Sequence, residues 1–345
     1  MKALHLVGST LNDFYFNLSY VYYQNVFRSS DFSHVALLRF PNGDWKLEHG
    51  ESDRTDIQFE DINQIASEFD IIVPHMFCPQ GMTSYRGYFE DVVGVPVVGP
   101  SSRSNTLTLS KWDTKSLATA AGVRCPRAVR MTQFDSTAPL GVPCIVKPDT
   151  EDNSIGVTLV RVAEDFPAAL KKALSFAPVA VVEEYIDGRE IRIGVVEVAS
   201  QAQALPPIEY HVTKDRPIRT LRDKLDVSDD GEIAETRWEE PTIPSSCPAD
   251  VAPDLYKRMS DAALTLHHAL SSRDYSLYDF RVDSDGTPYL LESCPFWTFS
   301  SRSILSMMIQ ADGSLDLESI IGDIWRKTAA RKGQVEEQKH AFLAS

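Results

Sequence analysis

The order of apolar runs predicts a chain of mixed class, α/β at its start and α+β beyond, folded in more than one unit. Three observations carry this. Short apolar strands alternate with amphipathic helices over residues 1–103, a later strand ends in Lys147-Pro148 ahead of a small polar loop, and an acid-bearing hairpin lies near residue 280. Length agrees, since 345 residues exceed one typical core.

Residues 3–7 read as a buried strand with Gly8-Ser9-Thr10 as its turn. Residues 12–27 read as a helix, with Phe16, Tyr20, Tyr23 and Phe27 at helical spacing. A strand at 35–40 stops at the Pro41-Asn42-Gly43 turn. Residues 57–69 are amphipathic, and Ile71-Ile72-Val73-Pro74 is an apolar run of the parallel-sheet kind. A helix at 85–92 and a strand at 96–100 close a doubly wound domain over 1–103. Such sheets meet ligands at the C-terminal ends of their strands, where Ser9, Asp13 and His75 fall. Each of the three also suits a cap or a buried hydrogen-bonding role.

From residue 101 the texture changes. Residues 104–121 read as one helix carrying Lys111 and Lys115. Residues 142–148 form a strand ending in Lys147, followed by the loop DTEDNSIG at 149–156 and a strand at 157–162. Backbone N–H groups of such a loop can fold over phosphates, with the lysine as a point charge. A helix at 166–176, a strand at 180–184, a turn at 185–190 and a strand at 191–198 follow. The units expected are a central one over 104–186 and a C-terminal one over 187–330, with a polar tail at 331–345. Residues 205–213 are extended. Arg216, Arg219, Arg222 and Lys224 then crowd a charge-rich stretch, either as an anion contact or as a solvated loop. A helix at 254–270 turns Leu255, Met259, Ala262, Ala263, Leu266 and Leu270 inward.

Residues 275–294 organise the chain. Asp279, Arg281 and Asp283 share one strand face, Ser284-Asp285-Gly286-Thr287-Pro288 turns, and Tyr289-Leu290-Leu291-Glu292 returns. The hairpin brings Asp279 and Glu292 within reach of each other. Paired hard oxygen ligands select Mg²⁺, which in enzymes also holds phosphate oxygens. Taken alone, the stretch also reads as an ordinary hairpin with solvated acids.

Composition narrows the classes. Hydrophobic residues at 43% and charged ones at 24% are globular values. Forty-nine acids against 34 bases give a formal charge of −15, which repels nucleic acid and anionic membranes. An anionic ligand then requires bases concentrated in a cleft. Five scattered cysteines form no CxxC pair, so neither a disulfide framework nor a zinc site is expected. With no signal-like or long apolar segment, a cytoplasmic setting is expected.

In order, these pieces are a lysine helix, strand-Lys-Pro with a polar loop, Glu183-Glu184-Tyr185-Ile186, Gly188-Arg189-Glu190, the Asp279–Asp283 strand and Glu292. That order resembles the ATP-grasp fold over about residues 3–326, and closely its D-alanine–D-alanine ligase branch. The resemblance implies ATP between two α+β halves. Lys111 and Lys147 would hold phosphates, Glu183 to Ile186 would form the hinge reading adenine, and Glu190 would bind ribose. Lys224 would reach the terminal phosphate, with Mg²⁺ on Asp279 and Glu292. A homodimer through the N-terminal domain is implied as well.

The departures concern the acceptor side. The branch ends its metal motif Glu-x-Asn, whereas this chain has Glu292-Ser293-Cys294. Its loop serine is Asn153, followed by Ser154. The tyrosine after the mobile lysine is Leu225, and the acid for the first ammonium falls at Asp13. The arginine two residues before the metal aspartate is Leu277, and Arg281 on the same strand face offers that charge instead. Longer stretches, HLVGSTLNDFYFNLS, PHMFCPQGMTSYRGYF, RPIRTLRDKL and YSLYDFRVDSDGTPYLLESCPFWTFSSRSI, resemble the ATP-grasp ligases of mycosporine-like amino acid biosynthesis. These couple serine, threonine or glycine to mycosporine-glycine. On that resemblance Arg281 with Arg302 and Ser303 would hold one substrate carboxylate, and Arg219 or Arg222 the other. Phe296, Trp297, Thr298 and Phe299 would shape the amino-acid pocket. Another ATP-grasp amino acid or dipeptide ligase, and a non-catalytic ATP-binding protein, are the alternatives.

Overall fold

The computed structural model describes residues 1–50, 53–220, 223, 243–294, 296–301 and 303–343, with side chains to Lys332. Three sheets organise them. In the first, β1 (Lys2–Gly8) lies parallel between β2 (Ser33–Arg39) and β5 (Ile71–Pro74). Both faces of β1 are covered: Ala3 and Val7 enter one apolar cluster, Leu4 and Leu6 another. That is why the strand reads as a continuous apolar run. The helix Asp13–Gln24 starts where Asn12 accepts a hydrogen bond from the Tyr15 amide. Gly8, at φ +114°, passes so close to Arg39 that an added Cβ would lie 2.1 Å from its carbonyl oxygen.

Two antiparallel strands missed by periodicity, β3 (Trp45–Glu48) and β4 (Arg54–Ile57), extend this sheet beyond β2. They are too short to show a period. The expected strand at 96–100 is reduced to one bridge, Val97 to Ile72. The single helix expected at 104–121 is two, Ser102–Leu109 and Lys111–Ala120, because Ser110 breaks the first and caps the second through the Asp113 amide.

The second sheet is antiparallel, in the order β6 (Ala128–Met131), β9 (Ala180–Glu184), β7 (Cys144–Pro148), β8 (Thr158–Val160). The helix Phe166–Phe176 buries Phe166, Ala169, Leu170 and Ala173 against it. The third sheet is built on β10 (Arg189–Val198), with β11 (Gln201–Ala204) and β12 (Ile208–Tyr210) beside it. The two-residue β13 (Ser245–Ser246) pairs with β12. On its other edge β14 (Tyr275–Val282) pairs with β10, and β15 (Pro288–Ser293) pairs with β14. The helix Pro253–Ala269 covers this sheet with Leu255, Met259, Ala263 and Leu266.

One large cluster joins the first and third sheets, and here two expectations are corrected. Trp297 and Phe299 do not shape a pocket; they pack with Tyr275 and Trp325 in the core at 1% and 0% exposure. The residues from 331 do not start a separate tail, because the helix Leu317–Leu343 runs through them. Arg331 binds the fully buried Asp274, and Lys332 donates to the carbonyls of Ser67 and Phe69.

His75 is likewise structural. An imidazole chain, buried at His75 and His5 and half-buried at His34, runs from His75 Nε2 to His5 Nδ1 (2.9 Å), from His5 Nε2 to His34 Nδ1 (2.9 Å), and from His34 Nε2 to the Ser29 carbonyl (3.0 Å). Burial, and secondarily the Arg28 charge, lowers His75 to about 3. His5 is held well below the usual value by burial, and His34 is lowered by burial too. The unfolded chain takes up these protons at about pH 6.5 and the folded chain does not. Stability is therefore full above that pH and falls as pH drops toward the folded values, by up to about 1.4 kcal/mol per pH unit per imidazole. Urea midpoints measured from about pH 7.5 down to about pH 5 should decline, and less steeply in His75→Phe. A parent midpoint that stays flat over that window contradicts the neutral chain.

Candidate nucleotide and acceptor site

Strand register builds the centre of the site. Asp279 and Glu292 are direct partners across the β14–β15 hairpin, with a bulge immediately after Asp279. On the other side of β14, Arg192 lies opposite Asp279 and Glu190 opposite Arg281. Two-residue spacing puts each strand's charged pair on one face. Arg192 approaches both Asp279 oxygens, Nε to Oδ1 at 2.5 Å and Nη2 to Oδ2 at 2.6 Å. Arg281 Nη2 lies 3.2 Å from Glu190, and its Nη1 donates to the Gly188 carbonyl at 2.9 Å. Gly188 permits this closeness: at φ +153° an added Cβ would sit 1.9 Å from the Val282 oxygen. Arg219 Nε completes the cluster at 2.6 Å from Glu190, its guanidinium stacked 3.5 Å from the centre of the Tyr210 ring.

A second cluster lies between the helix Lys111–Ala120 and the β7–β9 pair. Glu183 Oε1 forms ion pairs with the Lys147 and Lys115 ammonium groups, at 2.8 and 3.2 Å, all three residues buried. Burial alone would raise Glu183, but the two lysine charges outweigh it and hold its carboxyl below the usual glutamate range. Lys147 is lowered by burial, against the opposing pull of Glu183. Lys111, one turn before Lys115, donates to the Glu151 carbonyl and lies 3.6 Å from Glu292. Its helix is tied to the polar loop by Asp149, which accepts from the Trp112 amide and the Ser110 hydroxyl, each at 2.8 Å. Within that loop Asn153 and Ser154 take left-handed backbone, at φ 51° and 62°. Asparagine tolerates that region and serine rarely occupies it, so the loop stores strain where the site lies.

Two cavities open on these groups. One, of about 730 Å³, is lined by Lys111, Lys147, Ser154, Glu183 to Ile186, Glu190, Arg219, Asp279, Arg281 and Glu292, with apolar Ile145, Val157, Ile218 and Leu291. The other, of about 530 Å³, shares Lys111, Glu151 and Glu292 and adds Tyr15, Phe77, Pro79, Met82, Asp152 and Cys294. Burial pushes the Tyr15 hydroxyl and the Cys294 thiol well up and raises the Glu151 carboxyl.

Comparison with known proteins assigns the family. The family described as D-ala D-ala ligase C-terminus matches residues 125–325, more than half of the chain. The chain belongs to the D-alanine–D-alanine ligase family. A D-alanine–D-alanine ligase of Trichlorobacter lovleyi is 26% identical over 71% of this chain and 73% of its own length. A protein of Sinorhizobium fredii, named as uncharacterized protein y4sG, is 31% identical, and the match spans 63% of this chain and 62% of that relative. The D-alanine–D-alanine ligase structure from Coxiella burnetii superposes with a TM-score of 0.80 at 16% identity, covering 100% of this chain and 98% of that one. The fold is the ATP-grasp fold.

The family raises two ligands that this chain can be tested for. A nucleotide fits the larger cavity, which combines aliphatic side chains for a base with Lys111 and Lys147 for phosphates. Mg²⁺ fits Asp279 and Glu292, two carboxylates paired across the hairpin, with Oδ1 of Asp279 buried and short of hydrogen-bond geometry although Arg192 Nε lies 2.5 Å away. Among the described residues no group of three or more His, Cys, Asp or Glu side chains assembles as a ready-made metal cage.

Most sequence-derived site residues meet at these cavities, and several take other partners than expected. Glu183 faces Lys147 and Lys115, and Glu184 holds the Arg127 amide and guanidinium at 2.8 and 2.7 Å. Arg281 and Arg219 stand on Glu190 at the larger cavity, and neither lines the second. Asp13 opens its helix, exposed, and lines neither cavity; Tyr15, two residues on, lines the second. The Ser303 hydroxyl is occupied by Trp297 Nε1, Ser306 and the Ser300 carbonyl. Lys224, Arg222 and Arg302 lie outside the described residues. Arg192 was missed, although its two-residue offset from Glu190 placed it on the same face.

Proposed function

We propose that this chain is an ATP-dependent carbon–nitrogen ligase that joins the amine of serine, threonine or glycine to mycosporine-glycine. The observation that carries the reading is the second cavity. It sets Tyr15, Phe77, Pro79 and Met82 beside Glu292 and Lys111, with Cys294 in place of the branch's asparagine. The apolar side of this lining, with the aromatic Tyr15 and Phe77, suits a cyclohexenone ring better than a small amino acid. Leu277, at the branch's arginine position, is 2% exposed in the core and supplies no charge there.

In this reading Lys111, Lys147 and the backbone of the 149–156 loop hold the phosphates, and Glu190 orients the ribose. Asp279 and Glu292 would hold Mg²⁺, which would supply charge neutralisation for phosphoryl transfer. The cavity walls hold the ring oxygen of the acceptor in line with that group. The oxygen takes the phosphoryl group, ADP leaves, and the ring carbon becomes open to the amine. Addition of the amine, loss of a proton and departure of phosphate leave an imine. A homodimer and a cytoplasmic setting belong to the same proposal.

Incubation with ATP, Mg²⁺, mycosporine-glycine and L-serine, followed by absorbance and phosphate together, tests it. The expected result is a red-shifted band growing in step with ADP and phosphate, because the imine extends the conjugation. The names of the curated relatives favour a second reading, a ligase of ordinary amino acids. Phosphate release with D-alanine or other amino acids and none with mycosporine-glycine would select it. ATP binding with no acceptor consumed would select the non-catalytic alternative, which Cys294 favours.

A further inference from the structure

We propose that Arg192 is the internal counter-cation of Asp279, and that it makes divalent-cation binding at the hairpin conditional on the nucleotide. Four observations support this. The guanidinium fork reaches both Asp279 oxygens, at 2.5 and 2.6 Å, so the carboxylate is neutralised before any cation arrives. Only the Nη2–Oδ2 contact has hydrogen-bond geometry; Nε and Oδ1 are each buried without a hydrogen bond, leaving the pair short of its best arrangement. Both side chains are more than nine-tenths buried, at 7% and 4% exposure, so water relieves neither. Glu292, the opposite carboxylate, has Lys111 at 3.6 Å, so each carboxylate of the hairpin has a base beside it.

The consequence follows from charge. Mg²⁺ sheds its water reluctantly and needs oxygen at about 2.0–2.1 Å. A carboxylate already covered by a buried guanidinium offers little attraction to a bare hydrated cation, since the cation must displace a like charge held in low dielectric. Phosphate oxygens change the balance by adding negative charge and ligands at once. The cation therefore enters with the nucleotide, and Arg192 yields Asp279 to it at that step. The Tyr210 ring, centred 5.8 Å from the guanidinium carbon, gives the displaced cation an aromatic face. Arg192 is in this sense a positioning residue: it acts through Asp279. The inference rests on the reading of Asp279 as a metal ligand.

The test uses the full chain without nucleotide and Mn²⁺ alone as the probe, with free Mn²⁺ read by electron paramagnetic resonance. Arg192→Met should bind Mn²⁺ at least about tenfold more tightly than the parent, because the competing charge is gone. Arg192→Lys, which cannot cover both oxygens, should fall between them. Adding Asp279→Asn to Arg192→Met should abolish the gain. If Arg192→Met does not fold by circular dichroism, Arg192→Lys carries the comparison alone. Mn²⁺ affinity unchanged or weakened in the folded Arg192 variants overturns the proposal and leaves Arg192 as a brace for the carboxylate. The metal reading fails separately: an Asp279→Asn chain that binds Mn²⁺ with ATP as tightly as the parent overturns the metal site and this inference together.

Discussion

Asp279→Asn should lower kcat by about 10³-fold, equivalent to about 4 kcal/mol of transition-state stabilisation. The substitution keeps the shape of the side chain and removes its negative charge. Asp279 is buried at 4% exposure, and burial raises its carboxyl even against the charge of Arg192. An amide there cannot neutralise a divalent cation, and it leaves Arg192 buried without its anion. The measurement is steady-state turnover at saturating ATP and Mg²⁺, alongside ATP binding without metal. Turnover should collapse while metal-free ATP binding persists, since the phosphate lysines and the aliphatic walls are untouched. An amide variant that turns over at the parent rate would remove the hairpin from the metal role.

Glu183→Gln should lower stability by about 3–5 kcal/mol, the cost typical of breaking a buried charge pair by removing one partner. Glu183 is the shared anion for Lys147 at 2.8 Å and Lys115 at 3.2 Å. Without it two buried ammonium groups face each other, and among the described residues Lys115 keeps the Leu290 carbonyl, at 3.1 Å. The charge of Glu183 also carries a pH signature. Its folded value lies below the unfolded one, so its contribution is present above about pH 4.3 and is lost as pH falls through the folded value. Thermal midpoints of parent and variant, taken from about pH 7 to about pH 2, should differ by a constant amount above about pH 4.3 and converge only below it. ATP, which adds negative charge near Lys147, should narrow the gap. A variant as stable as the parent without ATP would mean that Glu183 is not the anion holding the lysines.

Much of the site was legible because its residues lie on regular strands. Alternation along 275–282 and the turn at 284–288 place Asp279 opposite Glu292 once the hairpin closes, and the register agrees. The Lys147 strand, the 149–156 loop and residues 183–190 border one cavity for a similar reason: each is a strand end or a turn joined to it. What stayed hidden depends on which elements meet. The pairing of Arg192 with Asp279 is invisible in its sequence neighbourhood, because the partner is 87 residues away on another strand. The run 296–299 reads from the sequence as a pocket wall, but packing sends Trp297 and Phe299 into the core.

By itself, then, the sequence determined the sheet-forming strands, the lysine and carboxylate inventory and the branch of the ATP-grasp ligases, since local spacing and ordered motifs carry that information. Only the tertiary structure decided which charges pair. It gave Glu183 to two lysines, Glu190 to Arg219 and Arg281, Asp279 to Arg192, and His75 to an imidazole chain. The physical reason is that a buried charge costs several kcal/mol unless a partner reaches it, roughly as large as the net stability of a domain. Such partners are chosen by distance across the fold, and distance across the fold is not written in local sequence.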